Sequence, residues 1–143
     1  MNDKNKMKPK PLIAVVDDDS SLRESTQLLL RSAGYRAEVF ASAREFLGSP
    51  RIDETACLML DVRMPGMDGL ELQRRLNVSH ADIPIIVVTA HDDATSRSTA
   101  LDSGAIGFLS KPFQASTLVA TVQTALTRRA QGTRQMLAPK GDG

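Results

Sequence analysis

The chain has 143 residues, 41% of them apolar and 24% charged, which is the make-up of one soluble globular domain long enough to bury its own core. No apolar run reaches bilayer-spanning length, the polar, lysine-rich Met1–Pro11 lacks the apolar stretch of a secretory signal, and a single cysteine, Cys57, excludes an internal disulfide, so a cytoplasmic protein with no membrane contact is expected. The net charge of +1 divides into basic ends and an acidic body: residues 12–127 carry ten basic against fifteen acidic side chains, the reverse of what a duplex-DNA reader presents.

Leu12-Ile13-Ala14-Val15-Val16 is a short apolar run broken off by Asp17-Asp18-Asp19, the pattern of a strand buried on both faces. Ser21-Leu22-Arg23-Glu24 reads as a capping box opening a first helix, which Gly34 stops. Asp19 reads as an exposed loop or helix-cap residue. Arg36 to Phe40 is a more polar strand, placed at a sheet edge, and Ser42-Ala43-Arg44-Glu45 caps a short second helix. Ala56 to Leu60 is a third strand ending in Asp61. Pro65-Gly66 marks a loop before a helix from about Gly69 to Asn77, with Arg74-Arg75 on its solvated face. Ile85 to Val88 is a β-branched fourth strand ending at Thr89.

Asp92 or Asp93 is expected to cap a fourth helix that stops at Gly104. Its Thr95, Ser96, Ser98, Thr99 and Ser103 are poor helix formers, each costing about half a kcal/mol, so the element is expected to be marginal. Ala105 to Leu109 is a fifth strand, followed by Ser110-Lys111-Pro112. A final helix over about Gln114 to Arg129 places Leu118, Val122, Ala125 and Leu126 on one face. The expected organisation is a basic tail over 1–11, one domain over 12–129, and a tail or linker fragment over 130–143. Five strands alternating with five helices predict a doubly wound α/β fold, a parallel sheet covered on both faces.

In a parallel sheet the C-terminal strand ends share one edge, where ligands bind in open α/β folds. Four of the five expected strands end in a functional group: Asp17-Asp18, Asp61, Thr89 and Ser110-Lys111. Three converging carboxylates repel one another unless a hard cation relieves them, and Mg²⁺ takes one or two carboxylates while keeping waters. Lys111 supplies a compact cation, and the Thr89 hydroxyl can donate to a phosphoryl oxygen. Metal, ammonium, hydroxyl and a carboxylate nucleophile together suit phosphoryl transfer to an aspartate.

The segments Val15-Val16-Asp17-Asp18, Leu60-Asp61-Val62-Arg63-Met64-Pro65-Gly66-Met67-Asp68-Gly69, Val88-Thr89-Ala90, Gly104-Ala105 and Lys111-Pro112-Phe113 resemble the receiver domain of two-component response regulators. The resemblance covers roughly residues 12–127 in the right order, and its five segments together are highly specific. It implies a flavodoxin-like strand order 2-1-3-4-5. It implies Asp61 as phosphoacceptor, Asp18 as direct Mg²⁺ ligand, Asp17 as a ligand through water, and the backbone carbonyl of Arg63 as a further ligand. Thr89 and Phe108 take the switch positions, Lys111 the phosphate-binding lysine, and the Lys111–Pro112 bond is expected to be cis. A sensor histidine kinase is the implied phosphodonor, the domain catalysing its own phosphorylation and dephosphorylation rather than turning over free metabolites. The implied output face is helix four, strand five and helix five, which can form a homodimer on phosphorylation. The wording around Ser32-Ala33-Gly34-Tyr35 and Phe40-Ala41-Ser42-Ala43 is similar to receivers joined to LuxR-type helix-turn-helix domains, so transcription control is the expected output, with no direct nucleic-acid contact by this domain.

Other classes fit less well. A haloacid-dehalogenase-type phosphatase needs a second acid two residues after the nucleophile, where this chain has Arg63. A flavin module needs a phosphate cradle after strand one, where three aspartates would repel the anion. The P-loop motif is absent. A pure interaction module has no need of the intact Asp, Thr and Lys set. Cys57 reads as an inert buried thiol, His80 as a solvent-exposed loop residue, and His91 has no assigned role.

Overall fold

β1 (Leu12–Val16) is buried along its whole length, as a central parallel strand must be. The computed structural model describes residues 10–62, 64, 66–90, 94–102 and 104–137. After β1 come α1 (Ser20–Ser32), β2 (Arg36–Phe40), α2 (Ala43–Leu47), a 3-10 turn (Ile52–Glu54), β3 (Thr55–Asp61), α3 (Gly69–Ser79), β4 (Ile85–Ala90), α4 (Ala94–Asp102), β5 (Gly107–Lys111) and α5 (Ala115–Leu137). The strands form one parallel sheet in the order β2-β1-β3-β4-β5. The order reverses direction between β1 and β3, which creates the crevice expected of a doubly wound sheet.

Strand alternation sorts the core into two layers. Val16, Leu58, Leu60, Ile85 and Val87 face Phe46, Leu72, Leu76 and Ala100 from α2, α3 and α4. Ile13, Val15, Cys57, Met59, Ile86 and Val88 face Leu30 of α1 and Leu118, Val122 and Ala125 of α5.

Local chemistry moves several expected boundaries. The N-cap of α1 is Asp19, whose carboxylate accepts from the Leu22 N–H at 3.2 Å; Ser21 lies inside the first turn, so the expected capping box is corrected. At α2 the expected cap is present. Ser42 Oγ accepts from the Glu45 N–H, and the Glu45 carboxylate reaches back to the N–H of Ala41 at 3.0 Å. β5 begins at Gly107 rather than Ala105. Gly104 turns the chain at φ +100°, and the Ala105 N–H closes that turn on the Ala100 carbonyl. α5 continues past Arg129 to Leu137, because Ala130, Gln131, Arg134, Gln135 and Met136 favour helix and a nucleated helix propagates without an apolar stripe. The expected α4 caps, Asp92 and Asp93, lie outside the described residues, as do residues 1–9 and 138–143.

β2 forms one edge of the sheet, as expected. Its Ala37 carbonyl accepts from Gln27 Nε2 at 3.2 Å and from Arg31 at 3.5 Å, both reaching over from α1.

Candidate phosphoacceptor site

Register brings the acids together. Val16 pairs with Leu60, so the residues that follow each, Asp17 and Asp61, leave the sheet side by side. Carboxylate oxygens of Asp17, Asp18 and Asp61 all lie within 4.8 Å of one another. Asp17 and Asp61 are buried, whereas Asp18 is exposed and opens the cluster to solvent.

Lys111 enters from the far side, at the end of β5. Its Nζ stands 3.1 Å from Asp61 Oδ2 and 3.2 Å from Asp17 Oδ2. Burial works to lower the Lys111 pKa, but the charges and hydrogen bonds of Asp61 and Asp17 outweigh it and hold the ammonium above the ordinary lysine value. At neutral pH the lysine is therefore a cation bridging two carboxylates. The Lys111–Pro112 bond is cis, as the sequence implied.

The loop after β1 is tied down by contacts that sequence reasoning missed. Asp17 Oδ1 accepts from the Asp19 N–H at 2.9 Å, and Arg23 Nη1 donates to the Asp17 carbonyl at 2.7 Å. Both oxygens of Asp17 are thus engaged, Oδ1 by the Asp19 N–H and Oδ2 by Lys111. Arg23 carried no signal beyond its place in the first turn of a helix.

The loop after β3 is held by Gly69. Its N–H donates to the Val62 carbonyl at 2.8 Å, and a Cβ there would collide with the Asp61 carbonyl and lie 2.8 Å from Val62 Cα. Only glycine lets α3 start this close to the acceptor strand. Asp68 caps the helix, accepting from the Glu71 N–H at 3.0 Å.

Thr89 is buried at the end of β4 and pairs in register with Ser110, while Phe108 pairs with Val87. Thr89 and Phe108 therefore lie on one face of the sheet, two residues apart along it. Phe108 is half-buried against the core layer of α2, α3 and α4, and the Arg97 guanidinium lies 4.8 Å from its ring centroid.

The described donor set consists of hard carboxylate oxygens with one exposed member, which fits a small divalent cation that keeps part of its water shell. Arg63, expected to add a backbone carbonyl, and His91 lie outside the described residues. His80 departs from expectation. It ends α3 with its side chain only 25% exposed, Nε2 2.9 Å from Asp53 and Nδ1 2.8 Å from Ser79 Oγ. Arg74 and Arg75 are exposed as expected, and both pair with Glu71.

A family model for the response regulator receiver domain matches residues 13–123. Nodulation protein W of Bradyrhizobium diazoefficiens is 44% identical over 119 residues, covering 83% of this chain and 52% of that protein. The transcriptional regulatory protein FixJ of the same organism is 38% identical over 120 residues, covering 84% of this chain and 58% of that protein. The chain spans about half the length of these curated relatives. Among solved structures, that of the response regulator StyR superposes with a TM-score of 0.80 at 43% identity, covering 89% of this chain and 64% of that one.

Proposed function

This chain belongs to the response regulator receiver domain family of two-component systems, and from that membership we propose that it is a phosphoacceptor switch that takes a phosphoryl group on Asp61. The observation that carries the reading is the Lys111 ammonium held between Asp61 Oδ2 and Asp17 Oδ2 at 3.1 and 3.2 Å. A lysine so placed can keep one hand on a carboxylate and give the other to an incoming phosphoryl oxygen.

A phosphohistidine on a sensor kinase is the proposed donor. An Asp61 carboxylate oxygen attacks phosphorus, the P–N bond breaks, and the imidazole leaves with the bonding pair and takes up a proton. Water later attacks the acyl phosphate and releases inorganic phosphate, restoring the carboxylate. Asp18 and Asp61 would hold Mg²⁺ directly and Asp17 through water, and the ion would supply charge neutralisation for the phosphoryl oxygens. The domain is its own substrate and is not an enzyme turning over free metabolites.

The Thr89 hydroxyl donates to a phosphoryl oxygen, and its movement opens space that Phe108 fills. That exchange shifts a pre-existing equilibrium of the α4-β5-α5 face, which controls a homodimer and, through an output domain, transcription. A tenfold shift in population needs about 1.4 kcal/mol, within reach of one charge-assisted hydrogen bond.

The test is incubation with Mg²⁺ and acetyl phosphate followed by intact mass. One added phosphoryl group is expected in the wild-type chain, none in Asp61→Asn, and a reduced fraction in Asp18→Ala or without Mg²⁺. A wild-type chain left unmodified by several donors would sink the reading.

A further inference from the structure

α4 is seated on the body without the apolar stripe that holds the other long helices. Among its described side chains Ala100 alone is buried; Thr95, Arg97, Ser98, Thr99, Leu101 and Asp102 are exposed. Two specific contacts hold it instead. At its C-terminal turn, the fully buried Gln73 of α3 donates from Nε2 to the Ala100 carbonyl at 3.0 Å, a second donor to the carbonyl that the Ala105 N–H also meets. One turn earlier, Arg97 lies over the Phe108 ring at 4.8 Å.

The two contacts differ in what they touch. Gln73 anchors α4 to α3, a helix that starts at the acceptor strand and is fixed there by Gly69. Arg97 anchors α4 to the aromatic that the switch moves. Gln73 Oε1 is buried and has no hydrogen-bond partner among the described residues, so Nε2 supplies the amide's contact to α4.

We propose that Gln73 and Arg97 are the positioning residues that couple α4 to the switch, Gln73 as pivot and Arg97 as release. While Phe108 is half-buried under the guanidinium, Arg97 holds the N-terminal part of α4 down. When Phe108 turns inward the ring no longer meets the cation, and α4 re-seats about the Ala100 carbonyl. This coupling rests on the phosphoacceptor reading above.

Hydrogen exchange over residues 94–102 tests it on the full chain, with and without Mg²⁺ and acetyl phosphate, alongside phosphoryl uptake by intact mass. Phosphorylation of the wild-type chain should speed exchange in this segment. Arg97→Ala should take up the phosphoryl group normally, yet exchange about two- to fivefold faster before phosphorylation, the worth of one exposed cation–π contact, and respond little to it. Arg97→Lys, which keeps the cation, should restore most of the slow exchange. Gln73→Leu should speed exchange chiefly at the Gly104 and Ala105 turn. Normal uptake with exchange over 94–102 indifferent to Arg97→Ala, or equally raised by Arg97→Lys, overturns the coupling alone. No uptake by the wild-type chain overturns the phosphoacceptor reading and the coupling together.

Discussion

Gly69 is the residue on which the site's geometry leans most heavily outside the acids themselves. A methyl group there would meet the Asp61 and Val62 backbone, which has no flexible end to yield. Gly69→Ala should therefore cost roughly 1–3 kcal/mol, read as a lower urea midpoint at unchanged slope, and should displace Asp61 enough to slow phosphoryl uptake. Cys57 is the opposite case, a reactive atom type made inert. Burial pushes its thiol up to about 12, against a smaller downward pull from Arg129. Because the fold keeps the neutral thiol, that contribution is intact below the ordinary thiol value and fades as pH rises toward 12. A thiol reagent at pH 8 should leave the native protein unmodified and label it fully in denaturant. At this scale the acids, Thr89 and Lys111 were legible in the sequence because each closes an apolar run, and a parallel sheet gathers such ends. The helix-cap reading of Asp19 held, whereas Arg23 and Gln73 were not legible, since their partners are backbone groups brought close only by the fold.

Among the elements, the helices divide by how they are held. α1 combines a side-chain cap with buried Thr26 and Leu30 beneath it. Asp19→Ala should cost about 1 kcal/mol and lower Tm by roughly 3–5 °C. α4 has poor helix formers and only Ala100 buried among its described side chains, so its amides should exchange faster than those of α1 in the resting protein. Equal protection of the two would contradict that account. Propensity marked this helix as marginal from sequence alone. What it could not show was the pair of side-chain contacts, from α3 and to β5, that keep the helix in place. The end of α5 was misjudged because periodicity reads an apolar pattern, and the sequence after Arg129 carries none although the helix runs on to Leu137.

For the molecule as a whole, alternation of strand and helix was enough to give the sheet and its two core layers. The strand order followed from the family resemblance and not from periodicity. Among the described residues, no helix is long and apolar enough to cross a membrane. A ligand that binds the fold and not the unfolded chain raises Tm by mass action. Mg²⁺ should therefore raise Tm in the wild-type chain and do so less in Asp18→Ala, which is checked by thermal unfolding over a range of Mg²⁺ concentrations. The Lys111 bridge adds an alkaline limit. With its pKa held above the usual lysine value, its stabilisation is complete below that value and is lost as pH rises through the raised one.

The contacts from Gln27 and Arg31 to the Ala37 carbonyl have a consequence for crowded solutions. An outermost strand with a vacant acceptor is a template on which a stray chain can add, rung by rung, into a fibre. Two side chains borrowed from the neighbouring helix occupy that rung, which blunts this edge at Ala37 against the addition of a foreign strand.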